Sequence, residues 1–203
     1  MTNHVIITPG NINPEQHKTI LDTFENDGVI AYPTDSGYAL GCKAGSIKAQ
    51  ERIKEIREFD SHHNFTLMCR DLSEIAQYAK VDTPTYRLLK KYSPGAFTFI
   101  LPATQKVPKI MLNKAKKTIG IRIPTHQTPL DLCNALGSPF LTVSLIMPGD
   151  INPLIDADDV EQALGDEVDL LLNCYYCGHE PTTVLDCTES EIKIIRQGAG
   201  EFA

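Results

Sequence analysis

Apolar and polar positions switch repeatedly along this chain between a period of two and a period near 3.6, the signatures of short strands and amphipathic helices. Residues 5–8 read as a first strand. Asn13-Pro14-Glu15 starts a helix, with Asn13 as its cap and proline tolerated in the first turn. Ile20, Leu21 and Phe24 give that helix an apolar stripe, and Asn26-Asp27-Gly28 closes it. Residues 29–32 form a second strand that leads into a loop. Residues 46–59 predict a helix with Ile47, Ile53 and Ile56 inward and Lys48, Arg52, Lys54 and Arg57 outward. Further strands are expected over 65–69, 97–101, 118–123, 140–145, 168–172, 184–187 and 192–195. Helices are expected over 71–79, 83–92, 128–136 and 157–164, with a short one over 107–113. Strands and helices interleave without a linker, repeat or low-complexity run. That predicts one α/β domain spanning 1–203, built on a large, twisted, mixed open sheet with helices packed on it.

Charge divides the chain in two. Residues 1–122 carry 17 of the 19 Lys+Arg against 12 acids, a balance of +5; residues 123–203 carry two bases, Lys193 and Arg196, against 14 acids, a balance of −12. The asymmetry points to an anionic ligand on the first half, with a solvated acidic face and no partner as the alternative. The overall charge of −7 argues against tight, indiscriminate nucleic-acid binding. No apolar run approaches the ~20 residues of a membrane span, and the first residues lack an export signal. A cytoplasmic protein is therefore expected, with Cys42, Cys69 and Cys133 as buried reduced thiols. Cys174-Tyr175-Tyr176-Cys177-Gly178-His179 has a Cys-x-x-Cys spacing but no second pair at zinc-finger distance, so a solvent-near loop is the preferred reading.

The richest stretch is Tyr32-Pro33-Thr34-Asp35-Ser36-Gly37-Tyr38-Ala39-Leu40-Gly41. Pro33 cannot donate a ladder hydrogen bond, so the strand is expected to stop there. Thr34 and Ser36 place hydroxyls at a strand's carboxyl end, where open α/β sheets bind ligands. An ordinary strand exit satisfied by backbone is the alternative. The segment resembles the entry motif of the YrdC-like family. The similarity continues through Asn64-Phe65-Thr66-Leu67-Met68-Cys69-Arg70-Asp71-Leu72, Pro94-Gly95-Ala96-Phe97-Thr98, Thr118-Ile119-Gly120-Ile121-Arg122-Ile123-Pro124, Pro181-Thr182-Thr183-Val184-Leu185-Asp186 and Arg196-Gln197-Gly198. These motifs follow one colinear order over nearly the whole chain, and the segment around Phe65 resembles the YciO branch.

The resemblance implies a YrdC-like fold with a concave ligand groove; with the chain ending at Ala203, the additional C-terminal domain of longer family members is not expected. It implies a threonylcarbamoyl-adenylate synthase that uses ATP, L-threonine and bicarbonate, with Mg²⁺ carried by ATP, in tRNA threonylcarbamoyladenosine modification. Such chemistry needs positioning and positive charge, not a protein nucleophile. The matching ligand-binding positions are Tyr32, Thr34, Arg57, Arg122, Ser144, Thr182, Thr183 and Arg196. Arg122 is too costly to bury alone, so it either binds an anion or pairs with an acid. Two positions depart from the family pattern: the second base of its Lys-x-Arg motif falls on Phe59, and the asparagine of its Ser-x-Asn motif falls on Ile146. Both changes weaken the synthase reading. His62-His63, just beyond, either compensate or form an exposed polar turn. Asp35 is the nearest candidate for a metal ligand, although no protein ligand is assigned.

A second reading is a protein that binds tRNA or double-stranded RNA through the same groove. The acid-free run 104–130 supplies Lys106, Lys109, Lys114, Lys116 and Lys117 as a phosphate track. A third keeps the fold and makes the protein a hydrolase or transferase of a related adenylate. A monomer or weak homodimer is expected in each case.

Overall fold

The computed structural model describes residues 2–58, 65–108 and 117–203. Phe59, His62, His63, Lys109, Lys114 and Lys116 lie outside the described residues, as does most of the short helix expected over 107–113. Ten strands form one mixed sheet in the order β1-β8-β2-β3-β7-β4-β6-β5-β9-β10. Their ranges are β1 (Asn3–Ile6), β2 (Ile30–Thr34), β3 (Gly37–Lys43), β4 (Thr66–Met68), β5 (Phe97–Pro102), β6 (Thr118–Arg122), β7 (Phe140–Ser144), β8 (Leu170–Asn173), β9 (Thr183–Asp186) and β10 (Lys193–Arg196). Six α-helices are described: α1 (Pro14–Glu25), α2 (Ile47–Arg57), α3 (Leu72–Tyr78), α4 (Thr83–Tyr92), α5 (Gln127–Leu136) and α6 (Ala157–Leu164).

Helix ends follow their sequence signals. Asn13 and Gln16 form a reciprocal capping box on α1, and Ser46, Asp71, Asp82 and Asp156 each accept a first-turn N–H. Gly137 ends α5 in the left-handed region at φ 73°. The helices cover the sheet unequally. Side chains of α2, α3, α4 and α6 build a large core on one face, including Ile53, Ile75, Leu89 and Val160. On the other face, α1 and α5 pack Ile20, Phe24, Leu132 and Cys133 against Ile30, Tyr32, Met68 and Phe140. Cys42, Cys69 and Cys133 are buried free thiols. No helix among the described residues is long and apolar enough to cross a membrane.

Three local expectations are corrected. The second strand does not stop at Pro33 but runs through it to Thr34. Tyr38, opposite Pro33, turns its N–H to the Leu154 carbonyl and its own carbonyl to the Leu145 N–H, both at 2.8 Å. Pro33 therefore occupies a pair position that exchanges no ladder bonds, and its missing N–H is not needed there. Residues 38–41, expected as loop, belong to β3. That strand is buried on both faces between β2 and β7, so it lacks the polar alternation that marks a half-exposed strand. Ile47 sits at the first position of α2 and is exposed, not inward.

Candidate functional site

The sheet face covered by α1 and α5 at β2 and β8 opens toward β6, β5 and β9 into a groove of about 280 Å³. Strand register explains its floor. Ile100, Gly120, Thr66 and Thr142 lie side by side across β5, β6, β4 and β7 and so share one face. Thr98 pairs with Val184, and Ser144 with Ala39, extending the floor to both sides. The result is a surface of hydroxyls from Thr66, Thr98, Thr118, Thr142, Ser144 and Thr182, interrupted by small or apolar side chains.

Three guanidinium groups line this floor: Arg57 from the last turn of α2, Arg122 at the end of β6 and Arg196 at the end of β10. No carboxylate is among the lining residues described. Burial lowers the pKa of Arg57 from its ordinary value. Burial also lowers that of Arg196, and the charge of Arg122 adds to the shift, so two cations already repel across the groove. An anion between them offsets both the burial and the repulsion.

Arg122 is held, not free. Its Nη1 donates to Ser36 Oγ at 2.8 Å, and its Nη2 bonds Asp35 Oδ1 in an ion pair whose side chains are 6% and 11% exposed. Of the two roles open to a buried arginine, pairing with an acid is present, and the guanidinium still lines the groove. Asp35 Oδ2 accepts the N–H and hydroxyl of Thr125 at 3.1 and 2.8 Å. Both carboxylate oxygens are thus engaged, which leaves Asp35 a poor metal ligand. Among the described residues, no group of three or more His, Cys, Asp or Glu could hold a metal ion. Arg196 is held too, its Nε and Nη2 donating to the Thr182 carbonyl and Nη2 also to Thr182 Oγ1.

Five of the sequence-selected residues, Arg57, Arg122, Ser144, Thr182 and Arg196, come together in the groove. Three stand behind it. Tyr32 is fully buried and reaches the floor only through its hydroxyl, 2.6 Å from Thr142 Oγ1. The Thr34 hydroxyl donates to the Gly37 carbonyl at 2.7 Å and accepts the Ser36 N–H at 3.0 Å, closing the β2–β3 turn. Thr183 faces away from the floor, its hydroxyl donating to the Gly200 carbonyl and accepting the Gly198 N–H. Lys106 and Lys117 are not among the lining residues; Lys106 reaches toward Gln77, and Lys117 precedes β6. Ile146 lines the groove beside Ser144 as an apolar wall.

The sequence reading missed Thr66, Thr98, Thr118 and Thr142. Their signal was present as alternation: Thr118-Ile119-Gly120-Ile121-Arg122 and Thr142-Val143-Ser144 put buried apolar side chains on one face and hydroxyls, a glycine or an arginine on the other, and Thr66-Leu67 and Thr98-Phe99 make the same step over two residues.

The Sua5/YciO/YrdC family model, described as telomere recombination, matches residues 22–198. The chain belongs to this family. Escherichia coli (strain K12) YciO is 44% identical over 191 residues, covering 93% of each chain. Its crystal structure superposes with a TM-score of 0.94 over 99% of this chain and 98% of its own. Threonylcarbamoyl-AMP synthase of Buchnera aphidicola is 30% identical over 149 residues, 72% of this chain and 84% of its own. The crystal structure of P. abyssi Sua5 complexed with L-threonine shares the fold, with a TM-score of 0.85 at 21% identity; the match covers 98% of this chain and 57% of that one. The YrdC-like fold implied by the sequence motifs is thereby shown.

Proposed function

We propose that the groove binds ATP and L-threonine and, with bicarbonate, forms threonylcarbamoyl-AMP for tRNA threonylcarbamoyladenosine modification. The observation that carries this reading is the trio Arg57, Arg122 and Arg196 around a hydroxyl floor with no lining carboxylate. The 30% identity to a threonylcarbamoyl-AMP synthase and the L-threonine held by the structural relative P. abyssi Sua5 support it.

In this reaction the threonine amine takes up bicarbonate with loss of water to give a carbamate. A carbamate oxygen then attacks the α-phosphorus, and the bond to the β-phosphate oxygen breaks to release pyrophosphate. Negative charge spreads over the transferring group as it does so. Guanidinium groups fixed beforehand by Ser36, Asp35 and Thr182 meet that charge without reorganising. Hydroxyls on the floor orient phosphate and ribose oxygens. Mg²⁺ arrives on the triphosphate, since the Asp35 carboxylate is engaged by Arg122 and Thr125.

The test is turnover. Purified protein with ATP, Mg²⁺, L-threonine and labelled bicarbonate should yield labelled adenylate and pyrophosphate. Product should vanish without threonine and fall in Arg57→Ala. Absence of product alongside measurable ATP binding would remove the synthase reading and leave a nucleotide-binding groove with other chemistry.

A further inference from the structure

His126 lies outside the groove lining yet ties three segments together. It is buried, and its Nδ1 accepts the Thr128 N–H at 3.2 Å, capping α5. Its Nε2 is 3.2 Å from the Tyr176 carbonyl oxygen, and its ring stacks on that of Tyr176 with centroids 5.4 Å apart. Accepting at Nδ1 and facing a carbonyl at Nε2 assigns a neutral ring with its proton on Nε2. A second proton has only Nδ1 to occupy, where it would point at the Thr128 N–H, donor against donor.

The residue before it completes a chain of contacts into the groove. Thr125 donates its N–H and hydroxyl to Asp35 Oδ2, and Asp35 Oδ1 holds Arg122. The charged and titratable groups facing the ring come from every element around it: Asp35 from the β2–β3 turn, Arg122 from β6, Asp131 from α5, and Cys174 and Tyr176 from the segment after β8. Burial lowers the histidine's pKa below its ordinary value. The Tyr176 carbonyl, Asp35 and Asp131 oppose that shift, Arg122 adds to it, and the net direction is down.

We infer that His126 is a positioning residue for Arg122: neutral, it keeps Thr125 on Asp35 and Arg122 set for an anion, and protonation opens the α5 cap, releases Thr125 and weakens anion binding. With Thr125 gone, Asp35 can turn both oxygens on Arg122 and compete with the ligand. The direction is diagnostic, because a cation that merely added positive charge near the groove would strengthen anion binding on acidification. The inference rests on the groove taking an anion, so its test has one arm that needs no ligand.

In the ligand-free arm, amide exchange at Thr128 is followed by NMR from about pH 7.5 to about pH 4.5, a window carried below the ordinary histidine range because burial lowers this one. Wild type should lose protection relative to His126→Asn, which keeps a capping acceptor but does not titrate. In the ligand arm, calorimetry follows binding of inorganic sulfate, whose charge is constant over this range. Wild-type affinity should fall about fivefold on acidification, the size of one lost helix cap, while His126→Asn stays flat. The same fall in His126→Asn, or unchanged or tighter binding by wild type at low pH, would overturn the inference. No sulfate binding at any pH would overturn the anion-groove reading and the positioning role with it, and Thr128 would still report whether the cap opens.

Discussion

The Tyr32 hydroxyl lies 2.6 Å from Thr142 Oγ1, joining a fully buried ring to the floor of the groove. Burial holds the Tyr32 phenol well above the usual tyrosine range, with the Thr142 bond pulling the other way. The bond therefore persists into alkaline solution. Tyr32→Phe should cost about 1 kcal/mol, the net worth of one neutral hydrogen bond. Chemical denaturation checks this. ATP affinity should change little, because Thr142 keeps its place on the strand.

The Asp35–Arg122 pair behaves differently, since removing one partner strands a buried charge. Asp35→Ala should cost about 3–5 kcal/mol, and the Asp35→Ala/Arg122→Ala double variant less than the sum of the two single changes. A double-mutant cycle on denaturation midpoints measures the coupling. Burial alone would raise the Asp35 pKa, but the charge of Arg122 and the hydrogen bonds from Thr125 and Arg122 outweigh it, and the net shift is downward from 3.8. The pair's contribution is thus complete above the unfolded value and is lost as pH falls through the lower folded one. Asp35→Asn should flatten the acid limb of the stability profile.

Gly178 packs against the β2–β3 turn so closely that a Cβ would lie 2.1 Å from the Asp35 carbonyl oxygen. Its N–H also donates to the Thr34 carbonyl at 2.8 Å. Backbone on both sides cannot yield as a side chain would. Gly178→Ala should destabilise by about 1–3 kcal/mol, seen as a lowered thermal midpoint, and should weaken ligand binding by displacing Asp35.

Arg196 and Lys193 share β10, but only Arg196 lines the groove; Lys193 pairs with Glu189 on the exposed surface. Arg196→Ala should lower ATP affinity about tenfold or more, the scale of a charged hydrogen bond. Lys193→Ala should leave it unchanged. Equal effects from the two would point to a diffuse field in place of a specific contact.

Much of this molecule was legible in the chain. Asn13 caps α1 as the sequence predicts, and Ser46, Asp71 and Asp82, whose cap role the structure supplies, start their helices by the same local hydrogen bonding. β3 was not legible, because a strand buried on both faces and bracketed by glycines shows no period of two. Arg122, Ser144, Thr182 and Arg196 stood out by charge or motif and do meet in the groove. Thr34 and Thr183 carried equally suggestive hydroxyls, yet both are consumed by backbone, Thr34 within its own turn at Gly37 and Thr183 by the distant Gly200 carbonyl. Residue type alone does not say which partner a hydroxyl finds. The Arg122–Asp35–Thr125 chain joins residues far apart in sequence, and only strand register brings them together.

The most direct measurement is calorimetric titration of Mg-ATP into the protein with and without L-threonine, repeated with Arg122→Lys. That variant keeps a positive charge beside Asp35 but loses the planar guanidinium fork. The account predicts that threonine tightens ATP binding in the wild type and that Arg122→Lys weakens ATP binding and abolishes this coupling. Unchanged ATP affinity and coupling in Arg122→Lys would contradict the assignment of the groove as the ligand site.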